Sequence, residues 1–224
     1  MDEKKLKERK KRARAMMRVL RKTFDGRKAR TALNYKTSWQ LLVAVMLSAQ
    51  CTDARVNEVT KTLFKKYKTI NDYASALLST FEKDIRQTGF YKNKAKHIIG
   101  AAKMIRDKFG GRVPRTMAEL IQLPGVARKT ANVVLSEAFG VIEGMAVDTH
   151  VRRFATRFNL SDSRDPKKIE QDLMSLLPKK DWPAFSNLLI DYGREICPAR
   201  PHDCAKHPLT ILYHKAASCW PLAK

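Results

Sequence analysis

The chain has 224 residues, of which 45 are Lys or Arg and 22 are Asp or Glu, a formal net charge of +23. That length supports a core that folds without disulfide or metal staples, and the imbalance points to a polyanionic partner, nucleic acid foremost, with a solubility surface as the alternative. No stretch approaches the roughly 20 apolar residues of a membrane span, and the basic N-terminus lacks the apolar segment of a secretory signal, so a soluble intracellular protein is expected.

In chain order, Lys4 to Lys22 reads as a flexible or helical basic arm. Ser38 can cap a helix through Trp39, Leu42, Val43 and Met46, and Leu41 to Leu47 is the longest apolar run. Thr52 or Asp53 can cap the next, with Val56, Val59, Leu63, Phe64 and Tyr67 on one face. Asn93 to Phe109 repeats the pattern and stops at Gly110-Gly111. Thr116 and Glu119 form a capping box for a short helix to Gln122, and Leu-Pro-Gly leads into a helix from Arg128 to Phe139 closed by Gly140. Asp165-Pro166 opens another helix. Alternating strand patterns are nearly absent, so the fold class is all-α. Four cysteines, three of them from Cys197 onward, suggest a local site or its remains rather than a disulfide framework.

The stretch Leu123-Pro-Gly-Val-Ala-Arg-Lys-Thr-Ala-Asn-Val-Val-Leu135 places a tight turn between two helices. Such a turn exposes the unpaired N–H groups and positive dipole end of the second helix, which suit a phosphate; an ordinary helical corner with no ligand is the alternative. Arg128 and Lys129 add charge beside it. This stretch resembles the helix–hairpin–helix motif of the endonuclease III family of base-excision-repair glycosylases. Leu41 to Asp53 resembles that family's wedge segment, and Gly89-Phe-Tyr-Lys-Asn-Lys-Ala95 its G-x-Y-x-x-K-A turn. Val147-Asp-Thr-His-Val-Arg-Arg153 resembles its V-D-T-H catalytic segment, and Cys197-x6-Cys204 the start of its cluster loop. The similarity is collinear over residues 30 to 207.

The resemblance implies two helical domains around a DNA-binding cleft. Residues 31–141 would form a six-helix barrel carrying the hairpin, and residues 1–30 with 142–224 a domain built from both termini. It further implies a bifunctional glycosylase and AP lyase. Lys129 would attack the sugar C1′ of a damaged nucleotide, displace the base, form a Schiff base and cleave the strand by β-elimination. Such an amine must be partly neutral near pH 7, which neighbouring cations and desolvation favour. Asp148 would stabilise positive charge on the sugar or assist proton transfer. By pattern alone Lys129 could be a phosphate contact and Asp148 an N-cap. Lysine at this position separates the chain from base-removing relatives that lack the lyase step, and oxidised pyrimidines become the expected lesions. Gln50 takes the wedge position, with a helix-end polar residue as its alternative; Phe90 takes that of the intercalating apolar residue, with a core aromatic as its alternative and Tyr91 as competitor. Leu123, Pro124, Gly125, Val126, Ala127, Arg128 and His150 complete the expected DNA contacts. The expected partner is double-stranded DNA holding damaged bases or abasic sites, bound by a monomer in the cytoplasm or at the nucleoid. The rival readings are a monofunctional mismatch glycosylase and a non-catalytic DNA-binding module.

Two departures stand out. The family's loop reads Cys-x6-Cys-x2-Cys-x5-Cys, but here His207 and Tyr213 take the third and fourth positions. An iron–sulfur cluster ordinarily takes four thiolates, so the loop is expected to hold no metal, with Leu209, Ile211, Leu212, Tyr213 and Trp220 packing in its place. Zinc bound by Cys197, Cys204, His207 and Cys219 is one alternative, and a cluster with a non-standard ligand the other. Ala127 stands where many relatives have a second glycine; if that position needs positive φ, alanine costs about 1 kcal/mol.

Overall fold

The computed structural model describes residues 2–27, 29–200 and 202–218, and every regular element among them is a helix. The chain divides into two compact units, one of Met1–Arg30 with Gly144–Lys224 and one of Thr31–Glu143. No helix among the described residues is long and apolar enough to cross a membrane.

The basic N-terminal run is a packed helix rather than a flexible arm. Asp2 caps α1 (Glu3–Thr23), and Ala13, Met16, Met17 and Leu20 fall on its buried face at helical spacing. The same helix buries Arg9, whose guanidinium donates to Asn159 Oδ1 at 2.8 Å and Asp162 Oδ1 at 2.6 Å.

In the unit Thr31–Glu143, Thr37 rather than Ser38 caps α2 (Ser38–Leu47), accepting from Gln40 N at 3.2 Å. Leu41 through Leu47 are all buried, as expected of a helix that is apolar all round. Thr52 caps α3 (Asp53–Lys66). Two short helices follow that the sequence did not announce: α4 (Ile70–Ala74), opened by a full capping box of Thr69 and Asp72, and α5 (Leu78–Asp84). Their Tyr73 and Phe81 join Trp39 and Tyr67 in an aromatic cluster with centroids 5.2 to 5.7 Å apart. The next helix, α6 (Tyr91–Lys108), starts before the expected Asn93 because Phe90 takes a left-handed φ of 48° immediately ahead of it. The hairpin pair is α7 (Met117–Leu120) and α8 (Arg128–Phe139), the latter closed by Gly140 at φ 66°.

The other unit packs α1 against α10 (Pro166–Leu176), α11 (Trp182–Glu195) and α12 (Pro208–Leu212), with α9 (Thr149–Arg157) against α10 and α11. A last short helix, α13 (Lys215–Ser218), follows α12. Met16, Leu20, Phe154, Phe185, Leu189 and Tyr192 are fully buried in this core. Asp165 accepts from the N–H groups of Lys167 and Lys168 ahead of α10, with Pro166 in its first turn.

Candidate functional site

In the unit Thr31–Glu143, the hairpin turn is shaped by one glycine. Gly125 sits at φ 76°, and a Cβ built on it would lie 2.7 Å from His97 Cβ. Alongside, Gly100 of α6 leaves room for the Pro124 ring, which would meet a Cβ there at 3.3 Å. The turn is thus docked onto α6 by two positions where side chains are missing. Leu123 and Val126 are buried and anchor it in the core, so only their backbone faces a ligand. Ala127 has φ −92° and ψ 169°, an extended conformation. The expected penalty for alanine there is absent, because Gly125 carries the left-handed turn. As N-cap of α8, Ala127 offers no side-chain acceptor, and Arg128 and Lys129 are exposed in the first turn behind it. The first-turn N–H groups of α8 and an exposed ammonium therefore share one end of one helix.

Gly125→Ala is expected to destabilise the chain by about 1–3 kcal/mol, through the left-handed φ and the displaced imidazole. It should also weaken duplex binding at least tenfold. Thermal unfolding and a binding titration read the two effects. Adding His97→Ala removes the ring atoms but keeps the Cβ that lies nearest, so it should recover only a small part of the loss.

Gln50 (φ 54°) and Phe90 (φ 48°) are both exposed and left-handed. They line one cavity of about 190 Å³ together with Asn93, Lys94, His97 and Gly125. Phe90 is 65% exposed, whereas Tyr91 packs against the core, which removes the core-aromatic reading of Phe90. Two of these residues, Lys94 and His97, escaped sequence reasoning. Lys94 belongs to the G-x-Y-x-x-K-A turn, but nothing in its spacing said that it would be buried.

In the other unit, Asp148 is the N-cap of α9, its Oδ1 accepting from Val151 N at 2.8 Å. His150 lies in the first turn of α9 and packs on Gly193 of α11 so closely that no Cβ would fit there. Two arginines of α9 hold the cysteine loop. Arg153 donates to the carbonyls of Pro198 and Cys197, both at 2.7 Å. The buried Arg157 donates to Cys197 Sγ at 3.0 Å, to Cys204 Sγ, and to the Ala216 carbonyl at 2.8 Å.

Residues 43–179 match the family described as "HhH-GPD superfamily base excision DNA repair protein". The chain is 48% identical to endonuclease III of Synechocystis sp. over 208 residues, 93% of this chain and 94% of the relative. It is 49% identical to endonuclease III of Bacillus subtilis over 185 residues, 82% and 84% of the two chains. A solved non-covalent endonuclease III–DNA complex superposes with a TM-score of 0.86 at 42% identity, covering 94% of this chain and 97% of that one. A trapped endonuclease III–DNA covalent intermediate gives the same TM-score and identity. The helical fold and the hairpin thus define a base-excision DNA repair protein. The chain belongs to the endonuclease III family.

This membership and the loop geometry correct the expectation of a metal-free loop. Members of the family carry a four-iron–four-sulfur cluster. Here the potential ligand atoms of Cys197, His202 and His207 all lie within 4.8 Å of one another. The expected apolar packing is met only in part among the described residues. Leu209 is buried and Tyr213 packs against the same core, beneath the Arg12 guanidinium at 4.1 Å, but Ile211 and Leu212 are 56% and 42% exposed. Cys219 and Trp220 lie outside the described residues. Burial pushes the Cys197 thiol up, while Arg157 opposes the shift. Burial and the neighbouring His202 push His207 down, which favours the neutral imidazole that ligates metal. The donors fit a metal held by mixed sulfur and nitrogen. They fall short of the four thiolates a four-iron cluster ordinarily takes, since the described part of this loop supplies two thiols. His202 was overlooked in the sequence because it has no counterpart in the family's cysteine spacing; the run Cys197-x4-His-x-Cys-x2-His207 was its signal.

Elemental analysis of the purified protein should return bound metal that is lost in a Cys197→Ala, His207→Ala double variant. The variant should also unfold at lower temperature, because ligand binding free energy is folding free energy.

Proposed function

We infer that this protein is a base-excision-repair DNA glycosylase with AP lyase activity, that Lys129 is its nucleophile, and that Asp148 supports the reaction as a carboxylate. The observation carrying this reading is Lys129 exposed in the first turn of α8, on a hairpin whose N-cap, Ala127, supplies no side-chain acceptor to the helix end that suits a DNA phosphate. Its substrate is double-stranded DNA containing oxidised pyrimidines or abasic sites, and it acts where such DNA is, at the nucleoid.

The neutral Lys129 amine attacks C1′ of the damaged nucleotide as the bond from C1′ to the base breaks, and the bond electrons leave with the base. Positive charge developing on the sugar favours a carboxylate, the role assigned to Asp148, which keeps one oxygen not engaged by Val151. Opening of the sugar ring gives an imine between C1′ and Nζ. Loss of a C2′ proton then expels the 3′ phosphate, and water releases the lysine. Before attack the nucleotide must leave the stack, at a cost of a few kcal/mol. Gln50 and Phe90 fill the vacated space.

Borohydride trapping on duplex DNA holding an oxidised pyrimidine tests the reading. A covalent protein–DNA adduct is expected. Base release without an adduct would mean a monofunctional glycosylase, and binding alone a non-catalytic module. The net charge of +23 makes binding strongly salt-dependent. With six phosphates neutralised, affinity should fall by about 10³ between roughly 50 and 200 mM salt, read by a fluorescence titration.

A further inference from the structure

Lys94 is 6% exposed, and its partners are main-chain carbonyls. Its Nζ donates to the Leu47 carbonyl at 2.8 Å and to the Thr88 carbonyl at 2.7 Å. Lysine is seldom buried without a countercharge. The two acceptors explain the exception. Leu47 is the last residue of α2, where carbonyls lack intrahelical partners and the helix dipole is negative. Thr88 ends the 3₁₀ turn Arg86–Thr88. One acceptor is six residues away in the chain and the other 47. Gln50 follows Leu47 by three residues, and Phe90 follows Thr88 by two. A single ammonium therefore clips together the stems of the two loops whose tips are left-handed and exposed.

We propose that Lys94 is a positioning residue for nucleotide extrusion, tying the end of α2 to the turn before α6 so that Gln50 and Phe90 are held at a fixed separation. Non-glycine residues keep left-handed conformations only where the surroundings hold them. Here the surroundings are the walls of the cavity that Gln50, Phe90 and Lys94 share. The compact ammonium, with three donors around one atom, serves two carbonyls of separate segments at once; a guanidinium is bulkier, and a glutamine amide is uncharged and one atom shorter in reach. Burial pushes the amine's pKa down, with Cys51 opposing. Both main-chain acceptors favour the charged form, so the clip and its charge support each other. The proposal rests on the reading that Gln50 and Phe90 enter the duplex.

The test compares Lys94→Met and Lys94→Gln with the wild-type chain. Single-turnover base release is measured on a duplex with an oxidised pyrimidine, beside 2-aminopurine fluorescence next to the lesion. The same variants are assayed for β-elimination at a preformed abasic site, where no base must be unstacked, and for thermal unfolding. A cooperative melt is expected, with base release slowed by about 10- to 100-fold and the fluorescence rise diminished. Cleavage at the abasic site should fall by less than about threefold. Equal losses on both substrates would show general damage and overturn the proposal, as would unchanged base release, or the failure of both variants to fold. Gln50→Ala and Phe90→Ala serve as controls. If they leave the fluorescence signal intact, the wedge reading itself fails. If they abolish it and Lys94→Met does not, only the role of Lys94 falls.

Discussion

Lys129→Ala is expected to abolish the borohydride-trapped adduct and to slow base release by on the order of 10³-fold or more, while leaving the fold intact. The side chain is exposed in the first turn of α8, and alanine is the best helix former, so stability should change by less than about 0.5 kcal/mol. A lysine here could serve only as a phosphate contact, and Lys129→Arg separates the two roles. The guanidinium keeps the charge and a donor array suited to phosphate, but it stays protonated and cannot attack C1′. If Lys129 is the nucleophile, the arginine variant binds duplex DNA within about threefold of wild type, the change expected of a retained contact, and forms no adduct. An adduct surviving in both variants would place the nucleophile elsewhere in the chain.

Asp148→Asn should slow base release by about 10²- to 10⁴-fold with almost no effect on thermal unfolding. Asp148 caps α9 through a hydrogen bond from Val151 N, and an amide oxygen can accept the same bond. Asparagine and aspartate rank together as N-caps. The substitution thus removes the charge and keeps the cap. Asp148→Ala, by contrast, should lose about 1 kcal/mol of stability as well, because the cap goes too. If Asp148→Asn retained full activity, the residue would be a cap and nothing more. A loss of activity that followed stability across both variants would lead to the same conclusion.

Much of the helical architecture could be read from local signals. Val56, Val59 and Leu63 place the buried face of α3, and Gly110, Gly140 and Pro166 mark ends and beginnings at or near where they fall in the structure. Those signals work because caps and helical spacing involve residues within four positions of one another. α4 and α5 were missed because they are five and seven residues long, too short for periodicity to register. The N-terminal helix was ambiguous for a different reason. Its lysines and arginines outnumber the four apolar positions that bury it, and only packing against α10, α11 and α12 shows that those four suffice.

The hairpin that opened the functional reading was legible as a turn, since Pro124-Gly125 between two helices has few other meanings. The glycine requirement was assigned one position too broadly. Ala127 turned out extended, and the left-handed residue is Gly125, pressed on His97 from a helix nearly thirty residues earlier. The metal loop failed for a related reason. Reading it against a spacing of four cysteines hid His202, and only the folded loop brings Cys197, His202 and His207 within 4.8 Å.

Charge, helical periodicity and most caps follow from order along the chain, as do the positions Lys129, Asp148, Gln50 and Phe90 that match the family's motifs. The tertiary structure decided which side chains are anchors and which are presented. Leu123 and Val126 went inward, Phe90 outward, and Lys94 became a buried clip between two loop stems. The reason is physical: exposure and hydrogen-bond partnership depend on segments far apart in the chain, and no local pattern encodes a contact across 47 residues.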